Sequence, residues 1–404
     1  MTHNRKKILI FSLAYFPKHV GGAEVALKEI TDRIPDIEFH MVCLRFDSTL
    51  PKVELIGNIL VHRIGFSKRN PSMADLRKFP LHLNKVLYQF AAFFKAVTLH
   101  RKHHYHGIWA MMAHSTGVPA GLMKTIYPTL TYVLTLQEGD PPEYIERKMR
   151  IFGPLFTRAF RKADVMQCIS TFLEQWGRRM GFRGRSVVIP NAVNVMHFSE
   201  QYPEKLLSRL KIELGKGIGD IFLITTSRLV HKNAVDDCIS ALALLPQEVK
   251  LLVLGTGPDE TALREHAEKL NVSERIQFLG QKSHEELPRY LNASDIFIRP
   301  SRSEGMGNSF VEAMAAGLPV IATQEGGLSD FIFDEKRNPD KPITAWAVSK
   351  DSPQEIAQAV RDIMSRPEKV RAVVETARAM VKDTYDWDIV ARSMREKVFE
   401  NVMS

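Results

Sequence analysis

Two carboxylates flanking a glycine-rich turn are the residues of this chain best suited to chemistry. Glu304 and Glu312, with seven residues between them, stand within Arg299-Pro-Ser-Arg-Ser-Glu-Gly-Met-Gly-Asn-Ser-Phe-Val-Glu-Ala-Met-Ala-Ala-Gly-Leu-Pro-Val-Ile-Ala-Thr323. The turn runs into a helix expected over Ser309 to Ala316. Gly317 and Pro319 end that helix, and Val320-Ile-Ala opens a short strand. Ser309 and Glu312 fit a Ser-x-x-Glu capping box, in which each side chain satisfies a backbone donor of the other. The N–H groups of a helix start also attract anions. A carboxylate just before such a site and another on its first turn suit a ligand carrying both phosphate and hydroxyl groups.

Three further clusters follow strand-like runs in the same half. Ser227-Arg-Leu-Val-His-Lys-Asn233 follows Phe222 to Thr225 and supplies two cations, Arg228 and Lys232. Gly255-Thr-Gly-Pro258 follows Lys250 to Leu254, and Phe278-Leu-Gly280 ends the run from Ile276. In a parallel sheet, loops at the carboxyl ends of strands converge on one edge. Cations and a helix start gathered there neutralise a diphosphate, and the carboxylates accept hydrogen bonds from sugar or ribose hydroxyls.

The elements that must hold these loops alternate between apolar runs and helical spacing, which indicates a mostly parallel α/β sheet in each half. In the first half the strands are expected at Lys7 to Tyr15, Glu38 to Leu44, Ile59 to Ile64, Gly107 to Ala110, Thr131 to Leu136, Val165 to Ile169 and Ser186 to Ile189. The second half adds Ile296 to Ile298 and Val320 to Ala322. Helices are expected at Leu81 to Thr98, Thr171 to Met180, Asp236 to Leu245, Glu260 to Leu270, Pro353 to Ser365, Arg371 to Asp383 and Trp387 to Val402. Gly21-Gly22 turns the first strand into a helix, but no Gly-x-Gly-x-x-Gly or acidic ribose partner accompanies it. A nicotinamide oxidoreductase is disfavoured on that ground.

A chain of 404 residues suits two domains of ordinary size. Residues 1–194 hold 28 Lys/Arg against 14 Asp/Glu, whereas the remainder holds 27 against 32. The basic half is expected to face an anionic surface or substrate. Two of its segments, Leu81 to Arg101 and Arg147 to Lys162, interleave cations with apolar residues and suit an anionic membrane surface. The run His100-Arg-Lys-His-His-Tyr-His106 has no companion carboxylate or cysteine set in sequence and reads as a solvated loop rather than a metal site. Cys43, Cys168 and Cys238 are far apart and lie in apolar segments, as expected of buried thiols in a reducing compartment. No run is long enough for a membrane span. The basic, then apolar, N-terminus lacks a cleavage site and reads as a first strand.

With these pieces assembled, the chain resembles the retaining glycosyltransferases of family 4. The likeness is carried by Ser227-Arg-Leu, Val253-Leu-Gly-Thr-Gly-Pro258, Phe278-Leu-Gly280, Pro300-Ser-x-Ser-Glu-Gly305, the Glu-x7-Glu pair, Glu312-Ala-Met-Ala-Ala-Gly-Leu-Pro-Val-Ile-Ala-Thr323 and Gly326-Gly327. The first half carries it more thinly, in Gly21-Gly-Ala-Glu24 and Ile189-Pro-Asn191. The resemblance implies a GT-B fold, two Rossmann-like α/β domains facing across a cleft. It places an acceptor-side domain at 1–195, a nucleotide-sugar-binding domain at 196–380, and a C-terminal helix at 381–404 that crosses back to the first domain.

The same resemblance implies roles. Glu304 contacts the donor sugar, and Glu312 the nucleotide ribose. Arg228 and Lys232 stabilise the departing diphosphate, with the backbone of Gly307, Asn308 and Ser309 and the turn at Gly255 helping to hold the donor. Gly21, Gly22 and Glu24 form the N-terminal loop. Asn233 stands where the family has its usual lysine, and Gln137 where many relatives have a histidine. Glu138, Asp140 or His114 then serves the acceptor side. No metal or other cofactor is expected, and Asp386-Trp-Asp388 reads as a chance Asp-x-Asp. The expected partners are a nucleotide-sugar donor, a glycan or lipid-linked acceptor and an anionic membrane surface, with no nucleic acid. The expected place is the cytoplasm, peripheral on the inner face of the membrane. A sugar-nucleotide epimerase and a non-catalytic nucleotide-sugar-binding protein are the alternatives.

Overall fold

The computed structural model describes residues 5–18, 21–72 and 74–403. The chain forms two compact units, residues 1–191 with 387–404 and residues 192–386.

The first unit is built on an eight-stranded sheet: β1 (Lys6–Phe11), β2 (Ile37–Leu44), β3 (Val53–Ile56), β4 (Ile59–Ile64), β5 (Gly107–Met111), β6 (Thr131–Leu136), β7 (Val165–Cys168) and β8 (Arg185–Val188). Their order is β3-β4-β2-β1-β5-β6-β7-β8. All neighbours are parallel except β3 and β4. The central strands are apolar throughout because helices cover both faces, and Leu9, Ile10, Phe11, Ile108 and Trp109 are fully buried. The antiparallel edge strand β3 had no place among the expected strands. Its apolar residues, Val53 and Leu55, point into solvent, so the inward-facing signal that marks a strand in sequence is missing.

The last helix belongs to this unit. Trp387–Met394 passes through a π turn at Arg395–Phe399. Phe399 packs edge-on against Phe39 of β2 and Trp109 of β5, with ring centroids 5.9 and 5.0 Å apart. Arg33 donates to Asp388 at 2.6 Å, and Arg395 to Asp36 at 2.9 Å. Asp388 thus serves an ion pair.

The second unit carries a fully parallel six-stranded sheet: β9 (Ile221–Thr226), β10 (Val249–Leu254), β11 (Ile276–Gly280), β12 (Ile296–Arg299), β13 (Val320–Ala322) and β14 (Trp346–Ala347), in the order β11-β10-β9-β12-β13-β14. β14, only two residues long, is too short to leave a sequence pattern. Leu223, Val253, Ile298 and Ile321 pack against Ile239, Leu242, Ile356 and Val360 of the covering helices. Each such side chain contributes about 1.5–3 kcal/mol by leaving water.

Both sheets have a switch point where the winding reverses. β1 lies between β2 and β5, and β9 between β10 and β12. Open parallel sheets place ligands at the carboxyl ends of strands beside such a point. The loops after β9 and β12 therefore occupy the favoured position of the second unit.

Candidate functional site

Glu304 lies in the loop after β12, and its carboxylate is 8% exposed. Arg299, the last residue of β12, donates to its Oε1, and Ser301 Oγ approaches the same oxygen at 3.5 Å. The Arg299 guanidinium also donates to Asn233 Oδ1 at 3.0 Å and to Ser309 Oγ at 2.6 Å. Phe310 packs beneath it, 5.2 Å from ring centroid to guanidinium carbon. A single buried cation thus ties together the loop after β9, the loop after β12 and the start of the following helix. Its planar fork suits this, since it offers several donors in fixed directions.

Around this hub the backbone is equally constrained. Asn233 is buried and donates from Nδ2 to the Arg228 carbonyl at 2.6 Å. Arg302 donates to the His231 carbonyl at 2.7 Å and to both oxygens of Asp236 at 2.9 Å. Asp237, also beside Arg302, is pushed up to about 6, because burial outweighs the attraction of that cation. Thr323 Oγ1 donates to the Ser301 carbonyl at 2.6 Å, and Gly327 N–H to the Glu304 carbonyl at 3.0 Å. Gly255 has φ +137°, and a Cβ there would lie 1.8 Å from the Ser227 carbonyl oxygen. Only glycine lets the β10 loop dock on the β9 loop.

The helix after β12 spans Asn308–Ala316, with Gly307 as its N-cap at φ +84° and no side-chain cap. The expected Ser309–Glu312 capping box is not formed. Ser309 is the second residue inside the helix rather than its cap, and its hydroxyl is taken by Arg299. Glu312 is the fifth, too far along to reach back. Its Oε1 instead meets His284 Nε2 at 3.2 Å. The helix start therefore has its first N–H groups without a side-chain acceptor, which is the condition for anion binding. Arg228 is exposed on the adjoining loop, and Lys232 is half-buried.

His284 joins an aromatic group within the same unit. Its ring stacks on His197 with centroids 6.0 Å apart and meets Phe198 edge-on at 5.0 Å. His197 approaches the His284 carbonyl at 3.1 Å.

In the first unit, Gly21 and Gly22 are exposed at the start of the helix Gly22–Asp32. Glu24 is buried, and its Oε2 accepts from Gly21 N–H at 2.8 Å. It acts as a cap on its own helix. His114 and Glu138 come together. Glu138, with no exposed side chain, approaches His114 Nδ1 at 3.4 Å and accepts from Gln137 N–H at 2.9 Å. Ser115 Oγ lies 3.0 Å from His114 Nε2. Met112, just before this helix, is held at φ +67°, a strained conformation for a non-glycine residue. Gln137 Nε2 donates to Asn191 Oδ1 at 2.9 Å, and the reverse contact is 3.4 Å. A reciprocal amide pair thus fills the place after β6.

Arg299, His284 and Asn191 carry these arrangements, yet no role was read for them in sequence. Arg299 did leave a signal, a lone cation ending an apolar strand immediately before Pro300. His284 lies in the loop just past Phe278-Leu-Gly280.

Residues 209–380 match the model of the family described as Glycosyl transferases group 1. The match covers most of the second unit. An uncharacterized glycosyltransferase of Methanocaldococcus jannaschii is 25% identical over 98% of both chains. A GDP-mannose-dependent monoacylated alpha-(1-6)-phosphatidylinositol monomannoside mannosyltransferase of Corynebacterium glutamicum is 27% identical over 58% of this chain and 61% of its own length. Among solved structures, sucrose-phosphate synthase of Thermosynechococcus elongatus superposes with a TM-score of 0.80 at 20% identity, covering 99% of each chain. Anabaena HepE in complex with UDP and glucose gives 0.76 at 21% identity, covering 98% of this chain and all of the other. The fold of the chain is GT-B.

Proposed function

We propose that the protein is a metal-independent retaining glycosyltransferase of family 4, moving a sugar from a nucleotide-sugar donor to a glycan or lipid-linked acceptor. One observation carries the reading. A helix start without a side-chain cap lies between two buried glutamates, beside an exposed arginine on the loop of the neighbouring strand. Glycosyl transfer develops negative charge on the departing phosphate. Preorganised N–H groups and cations oppose that charge most effectively when they need not reorganise.

In this scheme the N–H groups of Asn308 and Ser309, with Arg228 and Lys232, receive the diphosphate. Glu304, held by Arg299, faces the sugar hydroxyls, and Glu312 faces the ribose. The bond from the anomeric carbon to the phosphate oxygen breaks as the acceptor oxygen bonds to the same face of that carbon. The acceptor's proton passes to the departing phosphate. His114, Glu138 and Gln137 of the first unit serve the acceptor.

The activity of the corynebacterial relative supports a nucleotide-linked donor and a lipid-linked acceptor. The reading includes a cytoplasmic protein peripheral to an anionic membrane, and the first unit's surface supports the membrane contact. The helix Asn84–His103 exposes Val86, Leu87, Phe90 and Phe94, and the turn Arg150–Phe152 exposes Ile151. Phe90 and Phe152 lie 6.2 Å apart between ring centroids, so the two elements form one patch, bordered by Lys85, Arg147, Lys148 and Arg150. Among the described residues no helix is long and apolar enough to cross a membrane.

A thermal-shift screen against uridine, guanosine and adenosine diphosphate sugars tests the donor, since a specific ligand raises the melting temperature by mass action. No stabilisation by any of them would defeat the reading. The anomeric proton coupling of the product must show retention, and activity must survive chelator treatment. Flotation with anionic vesicles should fall on Phe94→Ser with Ile151→Ser.

A further inference from the structure

The amino-terminal edge of the first sheet gathers imidazoles that the sequence scatters. His40 and Glu38 lie on β2, His62 on β4, and His103 ends the helix Asn84–His103. The ligand atoms of Glu38, His40 and His103 all lie within 4.8 Å of one another. The rings of His40 and His103 meet edge-on at 4.6 Å. The carboxylate missing from the histidine-rich run in sequence is therefore supplied from 65 residues away, by Glu38.

Two further observations bear on the surroundings of this cluster. His62 is 6% exposed and lies beside His40, with ring centroids 5.5 Å apart. Neither of its ring nitrogens has a hydrogen-bond partner among the described residues. Buried polar atoms are rarely left so, and an exception needs an explanation such as an ion or water. Tyr105 is the second. Its hydroxyl meets His40 Nδ1 at 2.7 Å, while His40 Nε2 faces Glu38 Oε1 at 2.9 Å. A phenol both donates and accepts. It can hold His40 with the proton on either nitrogen, including the tautomer that leaves Nε2 free to ligate. A partner fixing the other nitrogen is the usual support of a metal-bound histidine.

We propose that Glu38, His40 and His103 form a binding site for a divalent transition metal of the zinc class, separate from the donor loops. Two imidazoles and a carboxylate are a donor set that zinc accepts, with the remaining position left to water. Glu38 and His103 are half-buried, so the ion enters from solvent, while His40 forms the buried wall. Ligation through Nε2 moves the His40 proton to Nδ1, from which it is donated to the Tyr105 hydroxyl oxygen. Lys7 Nζ, 3.7 Å from Glu38 Oε1, opposes the ion's charge and swings out into solvent. The ion would join β2 to the last turn of the helix that bears the exposed apolar patch.

The test is zinc titration of the untagged, chelator-stripped protein by calorimetry, with melting temperature as a second readout. One zinc per chain is expected, together with an upward shift in melting. His103→Ala and Glu38→Ala should each weaken binding at least tenfold. His104→Ala, which removes an exposed neighbouring imidazole, should match the parent. Unliganded melting curves of each variant separate loss of the site from loss of the fold. No zinc uptake by the parent protein, or parent-like affinity in His103→Ala or Glu38→Ala, overturns the proposal.

Discussion

The helix starts after β1 and after β12 are both reached through glycine turns, yet they are finished in opposite ways. At Gly22–Asp32, Glu24 is the third helical residue and reaches back to Gly21 N–H. At Asn308–Ala316 the third residue is Phe310, and the next carboxylate along the helix, Glu312, lies two positions further on against His284. A shift of two residues takes a glutamate from capping its own helix start to meeting a histidine of another loop. The first helix satisfies its own start. The second leaves the N–H groups of Asn308 and Ser309 without a side-chain cap among the described residues, beside a buried arginine that fixes the loops.

The largest expected effect of breaking this contrast is at Glu304. Glu304→Ala should lower turnover by about 1000-fold, the scale for losing a preorganised polar contact with the reacting group. Binding of the nucleoside diphosphate alone should persist in thermal shift. Turnover within tenfold of the parent would remove Glu304 from the chemistry.

Arg299→Met comes next. It leaves the Glu304 carboxylate buried without its cation, at a cost of about 3–5 kcal/mol in stability. Urea unfolding measures this, and Arg299→Met with Glu304→Gln should recover much of the loss. If the double variant is no more stable than the single, the two side chains are not coupled.

Glu312→Ala should raise the donor KM about tenfold, as for one lost charge-assisted hydrogen bond, with the unliganded melting temperature little changed. Glu24→Ala should do the reverse. It removes a cap worth about 1 kcal/mol and leaves donor KM within twofold. Should both variants shift the same parameter, the distinction between the two helix starts fails.

The smallest effect is in pH dependence. Burial raises the Glu24 carboxyl above its ordinary value, and the Gly21 N–H bond only partly opposes this. The folded state then holds this proton more tightly than the unfolded state. Its contribution to stability is full below the unfolded value near 4.5 and is lost as pH rises through the raised folded value. Glu24→Gln should abolish that decline in a pH series of melting temperatures. An unchanged slope would assign the decline to another group.

Much of the fold could be read from the chain because its signals are local. Runs such as Leu251 to Leu254 and Ile296 to Ile298 are apolar at every position, as strands covered on both faces must be. The strands that escaped were β3, whose apolar side chains face solvent, and β14, too short to show a period. The capping box failed for a related reason. Ser-x-x-Glu is defined by spacing, but the residue that starts the helix is decided by Gly307 at φ +84° and by Arg299 taking the Ser309 hydroxyl.

The amino-acid sequence alone determined the alternation of strand and helix, the glycine turns, and the identity of the two glutamates with a helix start between them. Each depends on residues within a turn or two of one another. Tertiary structure decided which side chains meet. Asn233 reaches Arg299 across 66 residues, and His40 reaches His103 across 63, because sheet order brings β9 beside β12 and the helix Asn84–His103 against β2. Spacing along the chain carries no record of that order. Arg299 as the tie between loops of the second unit, and the imidazole cluster at the amino-terminal edge of the first sheet, therefore became visible only in the folded chain.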